Sequence, residues 1–443
     1  MARRNHDRPR GSAQPTTSGP AGRGEGKVRW AAACADAGGR FWDESGWEGA
    51  GRSARLVRLP QEEELVRLPA GSVLQYLPGR TPLGWPVRRA GQGPPQGLRG
   101  TLAVAVQLPS GWTRTLLPAW QREPGAPDLP IFGYTAAFFR KGELWCAAVQ
   151  TEDNPRWNPG LYATRDLSRR IQALRRKHPS NRLLGQLEVC ARDYGCYNAQ
   201  NVFYGRWEGA APVSPSCNAC CRGCISSQPE GAPPSPQVRL AFVPTLEEIV
   251  EVGLEHLNHP EALYTFGQGC EGEPLLQAPL LARAIRALRE RTPKGTLHLN
   301  TNGSLPQAAR EVIQAGLDSM RVSLNSAIPD HYRAYYQPRT YDFEDVLETI
   351  RIARGHGVWV SLNLLMVPGV NDAQDEVEAL IRLLNDLDVN MVQMRNLNMD
   401  PDLFFQGAPA SEAPILGVPE MLRRLRAGAP RTRLGSHNPA VRG

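Results

Sequence analysis

The sequence predicts an α/β fold in which a parallel sheet forms an incomplete barrel, preceded by a small β-rich, α+β N-terminal domain. Three observations lead to this prediction. Strands and helices alternate from about residue 211 to residue 400, short apolar runs between Gly and Pro turns fill residues 28 to about 150, and the first 27 residues are rich in Arg, Gly, Pro and Ser. A chain of 443 residues can build about two or three domains with cores of their own.

The first segment, residues 1–27, is predicted to be a disordered basic tail. It has no apolar stretch, so it is neither a signal peptide nor a folded segment. Six Lys or Arg against two Asp or Glu place +4 of the net charge of +7 in this tail. Because no apolar run approaches the ~20 residues that span a bilayer, we expect a cytoplasmic protein with no membrane partner.

A second basic stretch, residues 169–177, lies in a predicted helix. It is interpreted either as a solvated helix face or as a surface for nucleic acid or another partner. Only four of the 51 basic residues are Lys. A GC-rich coding sequence explains that bias as readily as selection for phosphate contacts does.

Residues 28–205 are predicted to form an N-terminal accessory domain whose role the sequence does not specify. Short apolar runs between turn residues are typical of strands. The clearest runs are residues 72–76, 102–106, 134–139 and 144–149. Helices are predicted at residues 167–177 and 183–191.

Residues 206–400 are predicted to form the core domain, and residues 401–443 a C-terminal extension. Thr245 and Glu248 form a capping box that begins a helix. Six strands are expected, including residues 262–266, 296–300, 319–324, 358–367 and 390–397. Strands separated by helices of this length imply right-handed βαβ units. Active sites of such sheets gather at the carboxyl ends of the strands.

Four of the nine cysteines fall within eight residues, at Cys217, Cys220, Cys221 and Cys224. In a cytoplasmic chain this favours metal or redox chemistry over disulfides. The spacing C-x3-C-x2-C lets three thiolates bind three corners of an iron–sulfur cubane, which leaves the fourth iron open to a small molecule. The alternative is a zinc site made of two adjacent Cys pairs. Structural zinc sites place their pairs a dozen or more residues apart, and adjacent pairs would strain the tetrahedron.

The cysteine loop at the start of a partial barrel resembles the signature of the radical S-adenosylmethionine (SAM) superfamily. The resemblance runs from about residue 211 to 400. Gly272 and Glu273 lie in a segment similar to the Gly-Gly-Glu-Pro motif of that family, which contacts the amino group of SAM. Asn302 belongs to a strand end that resembles the Thr-Asn-Gly segment of many members.

Two further strand ends extend the resemblance. Ser323 and Asn325 fall where the family places polar groups that bind the ribose and carboxylate of SAM, and Val367 resembles the adenine-binding position. Backbone near residues 395–397 would complete that pocket. The resemblance therefore implies a (β/α)6 radical SAM barrel that binds SAM. It also implies that three cysteines hold a 4Fe–4S cluster, namely Cys217, Cys221 and Cys224.

Three positions depart from the family pattern. Glu271 replaces the first Gly of Gly-Gly-Glu-Pro, so the turn can differ. Gly223 stands before the last cysteine, where many members have an aromatic residue. Cys220 is an additional thiol in the loop and is expected to be a bystander. None of these departures removes a required ligand.

The resemblance implies a mechanism for the whole domain. The reduced cluster would give one electron to the sulfonium of SAM, and the resulting 5′-deoxyadenosyl radical would abstract hydrogen from a substrate. The electron would come from an external one-electron reductant such as ferredoxin or flavodoxin. The sequence assigns no catalytic residue beyond these cofactor-binding groups, and it does not identify the substrate.

Several residues near the predicted site have two interpretations each. Cys270 is a hydrogen donor or a bystander thiol, and Cys190 with Cys196 would need further ligands for an auxiliary cluster. Arg321 and Arg395 could reach the SAM carboxylate or a substrate anion, or form interstrand ion pairs. A further group of aromatic residues is expected to pack in the core or in a lid: Tyr332, Tyr335 and Tyr336.

The functional alternatives differ in substrate and class. The small-molecule, peptide or RNA substrate is unknown; the basic tail and helix motivate an RNA-modifying enzyme. The lack of cysteines after Cys270 weighs against the C-terminal cluster domains of peptide-modifying members. A glycyl-radical activase fits the long N-terminal domain poorly. A non-catalytic iron–sulfur or zinc scaffold protein is the last alternative.

Overall fold

The computed structural model describes residues 29–409 and 411–442, so the predicted tail at residues 1–27 lies outside the described residues. The first part of the described chain contains fourteen strands and three α-helices. They are β1 (Ala31–Ala35), β2 (Phe41–Gly49), β3 (Gly51–Ser53), β4 (Leu56–Arg58), β5 (Leu65–Arg67), β6 (Val73–Leu77), β7 (Arg80–Pro86), β8 (Gln96–Gly97), β9 (Leu102–Gln107), β10 (Trp112–Arg114), β11 (Leu117–Pro118), β12 (Trp120–Arg122), β13 (Thr135–Arg140), β14 (Glu143–Gln150), α1 (Leu167–Lys177), α2 (Arg182–Arg192) and α3 (Tyr197–Tyr204).

The second part alternates strands with helices. Its elements are β15 (Glu208–Ala211), α4 (Leu246–Leu257), β16 (Leu263–Phe266), α5 (Ala278–Arg291), β17 (Thr296–Thr301), α6 (Pro306–Gln314), β18 (Ser319–Leu324), α7 (Pro329–Tyr336), α8 (Phe343–Gly355), β19 (Trp359–Met366), α9 (Gln374–Asp386), β20 (Met391–Asn396), α10 (Pro401–Gly407), α11 (Val418–Gly428) and β21 (Arg433–Gly435). Across the described residues, no helix combines the length and the apolar character needed to cross a membrane.

The N-terminal domain is built from antiparallel strands, which confirms the predicted β-rich domain. Its larger sheet runs β10-β14-β13-β9-β1-β2-β7-β12, and β11, β3 and β4 form a smaller one. The sequence analysis did not predict α3, in which three amide residues interrupt the apolar and aromatic ones. Two of these amides are buried with hydrogen-bond partners: Gln200 Nε2 donates to Ala191 O at 3.1 Å, and Asn201 Nδ2 donates to Glu208 O at 3.0 Å.

The core domain is a parallel sheet in the order β15-β16-β17-β18-β19-β20-β21, which confirms the predicted α/β class. Six strands were expected, and β21 adds a seventh within the described chain. This strand comes from the predicted C-terminal extension and has only three residues with no apolar run. It forms by pairing with β20, Met391 opposite Arg433. The described residues show no pairing between β15 and β21, so the sheet is an open barrel.

The N-terminal domain is fixed to the exit of β20 by buried arginines. The backbone N–H of Arg114 donates to Asn396 Oδ1 at 2.8 Å, and its guanidinium donates to Leu397 O at 3.0 Å and to Asn398 Oδ1 at 3.2 Å. Arg80 pairs with Asp400 at 3.3 Å, and both side chains are fully buried. The chain that leaves the last long strand is therefore held by the N-terminal domain.

Replacing Arg114 by Met should lower the free energy of unfolding by about 2–4 kcal/mol, because two buried acceptors would lose a charged donor. Urea unfolding monitored by circular dichroism measures this loss. The matched control is Arg122→Met, whose guanidinium is partly exposed and lies 2.9 Å from Asp128; it should cost about 1 kcal/mol or less. Equal losses in the two variants would show that the Arg114 contacts do not hold the domains together.

His298 makes stability depend on pH. It lies inside the sheet, with Nδ1 2.7 Å from Ser319 Oγ and Nε2 3.1 Å from Asn300 Oδ1. Burial, helped by the charge of Arg321, lowers the pKa of His298 to about 3. Since the unfolded chain takes up this proton near pH 6.5, His298 contributes stability above that pH and loses it as the pH falls toward 3.

We therefore compare the wild type with His298→Asn across a pH series. Below pH 6.5 the free energy of unfolding of the wild type should fall relative to the variant by about 1.4 kcal/mol per pH unit. Using the difference between the two proteins removes the contributions of the other titrating groups. Parallel pH curves would mean that His298 is not held neutral in the folded protein.

Candidate active site

The cysteine loop follows β15, and the end of β16 holds its first residues in place. Gly272 N donates to Ser214 O at 2.7 Å, and Glu273 N donates to Ser216 O at 2.8 Å. A methyl group added at Gly272 would lie 1.9 Å from Ser216 O. Only glycine allows the two backbones to approach this closely, so Gly272 positions the loop.

Glu271 strengthens the same junction, although the sequence analysis treated it as a departure from the family pattern. Its carboxylate accepts hydrogen bonds from Val213 N at 2.7 Å, Ser214 N at 2.8 Å and Gln268 N at 2.6 Å. Burial raises the pKa of Glu271 to about 8, against the lowering effect of these three donors. The side chain thus ties the exit of β15 to the exit of β16. The sequence signal that could have indicated this role is an acidic residue among the glycines after a strand.

Glu273 connects the exit of β16 to that of β17. Its carboxylate accepts from Thr301 Oγ1 at 2.5 Å, from Asn302 N at 2.8 Å and from Leu275 N at 3.0 Å. Burial raises the pKa of Glu273 to about 7. Because the carboxylate is buried among backbone donors, it fixes the two strand ends relative to each other.

Asn302, just after β17, links this strand end to the cysteine loop through its side chain. Its Nδ2 donates to Asn218 Oδ1 at 2.9 Å, and Asn218 Nδ2 donates to Ser304 Oγ at 2.9 Å. Asn218 lies between Cys217 and Cys220 in the sequence. The loop is therefore held from both neighbouring strand ends by hydrogen bonds that involve no thiol.

Two of the predicted metal ligands, Cys217 and Cys221, line a cavity of about 570 Å³ at this edge of the sheet. Burial raises the pKa of Cys217, and burial together with the thiols of Cys217 and Cys224 raises the pKa of Cys221. Cys224 Sγ lies 3.5 Å from Arg239 Nη2, while Cys220 is exposed. In the part of the chain that the structure describes, no group of three or more His, Cys, Asp or Glu side chains is arranged to hold a metal ion.

The space beside Gly223 is filled by side chains from elsewhere in the fold. A methyl group at Gly223 would lie 2.9 Å from Tyr335 Oη and 3.1 Å from Leu397 Cδ1. The loop also bonds to α7, since Arg222 N donates to Tyr335 O at 3.1 Å. The three tyrosine side chains of α7, at positions 332, 335 and 336, are buried. An aromatic residue at position 223 would have no room here.

The remaining predicted SAM-binding residues separate into two groups. Gly272, Glu273, Asn302 and Ser323 line the cavity together with the cysteines. Asn325 does not: it follows the end of β18, and its Nδ2 donates to His331 O at 3.1 Å in a smaller cavity beside α7.

Val367 is also absent from the residues that line the large cavity. It is buried just after β19, where its backbone N–H donates to Asn371 Oδ1 at 2.7 Å. The structure therefore brings together the residues from the first four strands. Asn325 and Val367, which follow the ends of β18 and β19, do not line this cavity.

Residues far from these motifs complete the cavity wall. Three are aromatic, and Trp157 stacks on His437 with ring centroids 4.8 Å apart. Three are free thiols. The sequence analysis did not connect Trp157, Tyr197 and His437 with the site, but it did consider Cys270 as a hydrogen donor or bystander there and Cys190 with Cys196 as ligands of an auxiliary cluster. The first two of these aromatic residues come from the N-terminal domain and the third follows β21, so no local motif could have placed them here.

The sequence model of the radical SAM superfamily matches residues 211–384, the segment that contains the cysteine loop and strands β16–β19. Residues 211–384 therefore form a radical SAM domain. Domains of this family use a 4Fe–4S cluster and SAM as cofactors.

Two relatives of known name are similar to this chain in this domain, and the similarity covers only part of their length. GTP 3′,8-cyclase of Peptoclostridium acidaminophilum is 28% identical over 190 residues, which are 41% of this chain and 53% of the relative. FeMo cofactor biosynthesis protein NifB of Klebsiella pneumoniae is 27% identical over 176 residues, 37% of each chain. The chain thus spans about half or less of these relatives.

Among solved structures, a radical SAM methyltransferase from Sphaerobacter thermophilus is similar with a TM-score of 0.37 and 18% identity. The similarity covers 51% of this chain and 64% of that one.

Replacing Gly272 by Ala should separate the end of β16 from the cysteine loop, because the new methyl group would meet the Ser216 carbonyl. We expect a loss of about 1–3 kcal/mol in stability and a large drop in the iron retained after anaerobic reconstitution. Gly355→Ala is the matched control, since a methyl group there has no heavy atom within 4 Å. If Gly272→Ala retains as much iron as the control, the close approach of Gly272 to Ser216 is not needed to shape the cysteine loop.

Proposed function

We propose that Cys217, Cys221 and Cys224 hold a 4Fe–4S cluster and that the protein cleaves SAM reductively to generate a 5′-deoxyadenosyl radical, which acts on an unidentified substrate. The observation that carries this proposal is that hydrogen bonds from the ends of β16 and β17 hold the cysteine loop in place. The loop follows the carboxyl end of β15, and its Cys217 and Cys221 line a cavity that Gly272 and Glu273 also line.

The donor set fits an iron–sulfur cluster. The Cys217 and Cys221 side chains are partly buried. Burial raises the pKa of both thiols, and for Cys217 it outweighs the lowering effect of Arg239, so without metal both thiols stay protonated. Bound iron supplies the positive charge that stabilises the thiolates. Each thiolate of a cubane binds a different iron, so the three sulfur atoms need not converge on one ion, as they must for a single zinc.

When bound, the cluster and SAM supply one-electron cleavage of the sulfonium and a carbon radical. The chain's own residues position SAM and exclude water. We assign the binding of SAM to Gly272, Glu273, Asn302 and Ser323, because they line the cavity. Glu273 keeps lone pairs that could accept from an ammonium group, since its three donors leave part of its acceptor capacity unused. We do not include Asn325 and Val367.

An external one-electron donor such as ferredoxin or flavodoxin would reduce the cluster, and nine free cysteines agree with a reducing, cytoplasmic setting. The RNA-modifying alternative has less support. Three of the five basic residues of α1 lie in close ion pairs: Arg170 is 2.6 Å from Asp166, Arg175 is 2.9 Å from Glu188, and Lys177 is 2.5 Å from Glu255.

The test is anaerobic reconstitution with iron and sulfide, followed by an assay of dithionite-driven conversion of SAM to 5′-deoxyadenosine. The wild type should bind about four irons per chain and release 5′-deoxyadenosine. Separate Cys217→Ser, Cys221→Ser and Cys224→Ser variants should lose the cluster and the product. Cys220→Ser is the matched control, because it lies in the same loop with an exposed thiol.

Two outcomes would contradict the proposal. The first is a single bound zinc in place of iron. The second is a reconstituted cluster that cleaves no SAM with dithionite or with reduced flavodoxin. A Cys220→Ser variant that fails together with the other three would move the ligand assignment within the loop.

A further inference from the structure

Two arginines meet on the inner face of the sheet, within the cavity that the cysteines line. Arg321 lies on β18 and Arg395 on β20. Their guanidinium groups share one acceptor: Arg321 Nη1 is 3.2 Å and Arg395 Nη2 is 3.4 Å from Gln393 Oε1. Two positive groups therefore approach the same neutral amide.

No carboxylate neutralises this pair. Across the described residues, neither Arg321 nor Arg395 takes part in an ion pair, whereas the buried Arg80 pairs with Asp400 at 3.3 Å. Glu208 acts on both arginines from a distance, and Glu152, which accepts from Ser436 N at 2.5 Å, acts on Arg395 as well. Glu208 is already bonded to Asn198 Nδ2 at 3.0 Å and Asn438 Nδ2 at 2.9 Å.

This arrangement is costly without a bound anion. Burial, with the charge of Arg395 as the second cause, lowers the pKa of Arg321 to about 10, and burial lowers that of Arg395. Both groups remain charged at neutral pH. Buried cations are almost always paired, so two like charges at a cavity wall indicate a site for a negative group.

The pair lies apart from the residues proposed to bind SAM. The cysteine loop, Glu273 and Asn302 follow β15, β16 and β17, whereas Arg395 lies on β20, four strands from β16. Arg321 precedes Ser323 by two residues on β18 and so lies about 7 Å farther from the strand's carboxyl end. The anion is therefore expected beyond SAM, on the substrate side of the cavity.

We propose that Arg321 and Arg395 bind a carboxylate or phosphate group of the substrate. This inference rests on the proposed function, because SAM would occupy the same cavity. The guanidinium fork suits both groups. Trp157 and Tyr197 of the N-terminal domain line the same cavity, and their rings would cover the uncharged part of the substrate. A cavity of about 570 Å³ that also holds SAM leaves room for a small molecule or a single group of a larger one.

The test uses pyrophosphate and citrate as separate probes, titrated by calorimetry into the reconstituted protein at fixed ionic strength. The wild type should bind at least one of them. Arg321→Gln and Arg395→Gln should each weaken that binding by about 10-fold or more. Arg354→Gln is the matched control, because this arginine forms a surface ion pair with Asp388 at 2.6 Å; binding should be unchanged. A response to pyrophosphate alone or to citrate alone identifies the phosphate or the carboxylate class.

Two further measurements separate this role from others. The SAM affinity of both Gln variants should stay within about 3-fold of the wild type; a parallel loss would assign the arginines to the SAM carboxylate and overturn the proposal. The unfolding temperature of the anion-free protein should not fall in Arg395→Gln, since the variant removes a partly buried charge that has no carboxylate partner. A fall would indicate a structural role.

The two proposals fail in different ways. A wild-type protein that binds neither probe, or binds them equally well in both Gln variants, overturns the anion site even if SAM is cleaved. A protein that cleaves no SAM but binds an anion through both arginines retains the anion site and overturns the proposed radical chemistry.

Discussion

The structure depends on the hydrogen bonds by which two buried carboxylates join three neighbouring strand ends. Glu271 ties the exit of β15 to that of β16, and Glu273 ties the exit of β16 to that of β17. Each carboxylate accepts backbone N–H groups that would otherwise be buried without partners at the ends of a parallel sheet. Because the strand ends are fixed in this way, the cysteine loop between them has a defined shape before any cofactor binds.

The charges around the cavity are arranged for groups that the chain itself does not supply. Cys221 and Glu273, whose pKa values are raised, mark one part of its lining, and two arginines without carboxylate partners mark another. Such a distribution costs stability in the empty protein. Contacts elsewhere offset the cost, among them the buried arginines that fix the N-terminal domain to the exit of β20. The N-terminal domain thus both supports the core and lines part of the cavity.

Much of the core could be predicted from the sequence, because its signals are local. Buried strands and the capping box at Thr245 depend on short stretches of sequence, and so does the cysteine spacing. The contributions of β21, Trp157 and His437 depend on long-range packing and leave no such pattern. Asn325 shows a further limit: it follows a strand whose inward face could be predicted, but the strand has ended and α7 captures its side chain. The sequence shows Glu271 as a departure from the Gly-Gly-Glu-Pro pattern. Its role in joining two strand ends becomes clear only from the three backbone N–H groups that donate to it.

The central claim is that three cysteines hold a 4Fe–4S cluster with one iron open to SAM. Electron paramagnetic resonance of the anaerobically reduced protein, recorded before and after adding SAM, tests this claim most directly. The wild type should give the signal of a single reduced 4Fe–4S cluster, this signal should change when SAM binds, and Cys221→Ser should give no such signal. A cluster signal that SAM leaves unchanged would contradict the open iron. The absence of any cluster signal in the reconstituted wild type would contradict the assignment of the cysteines.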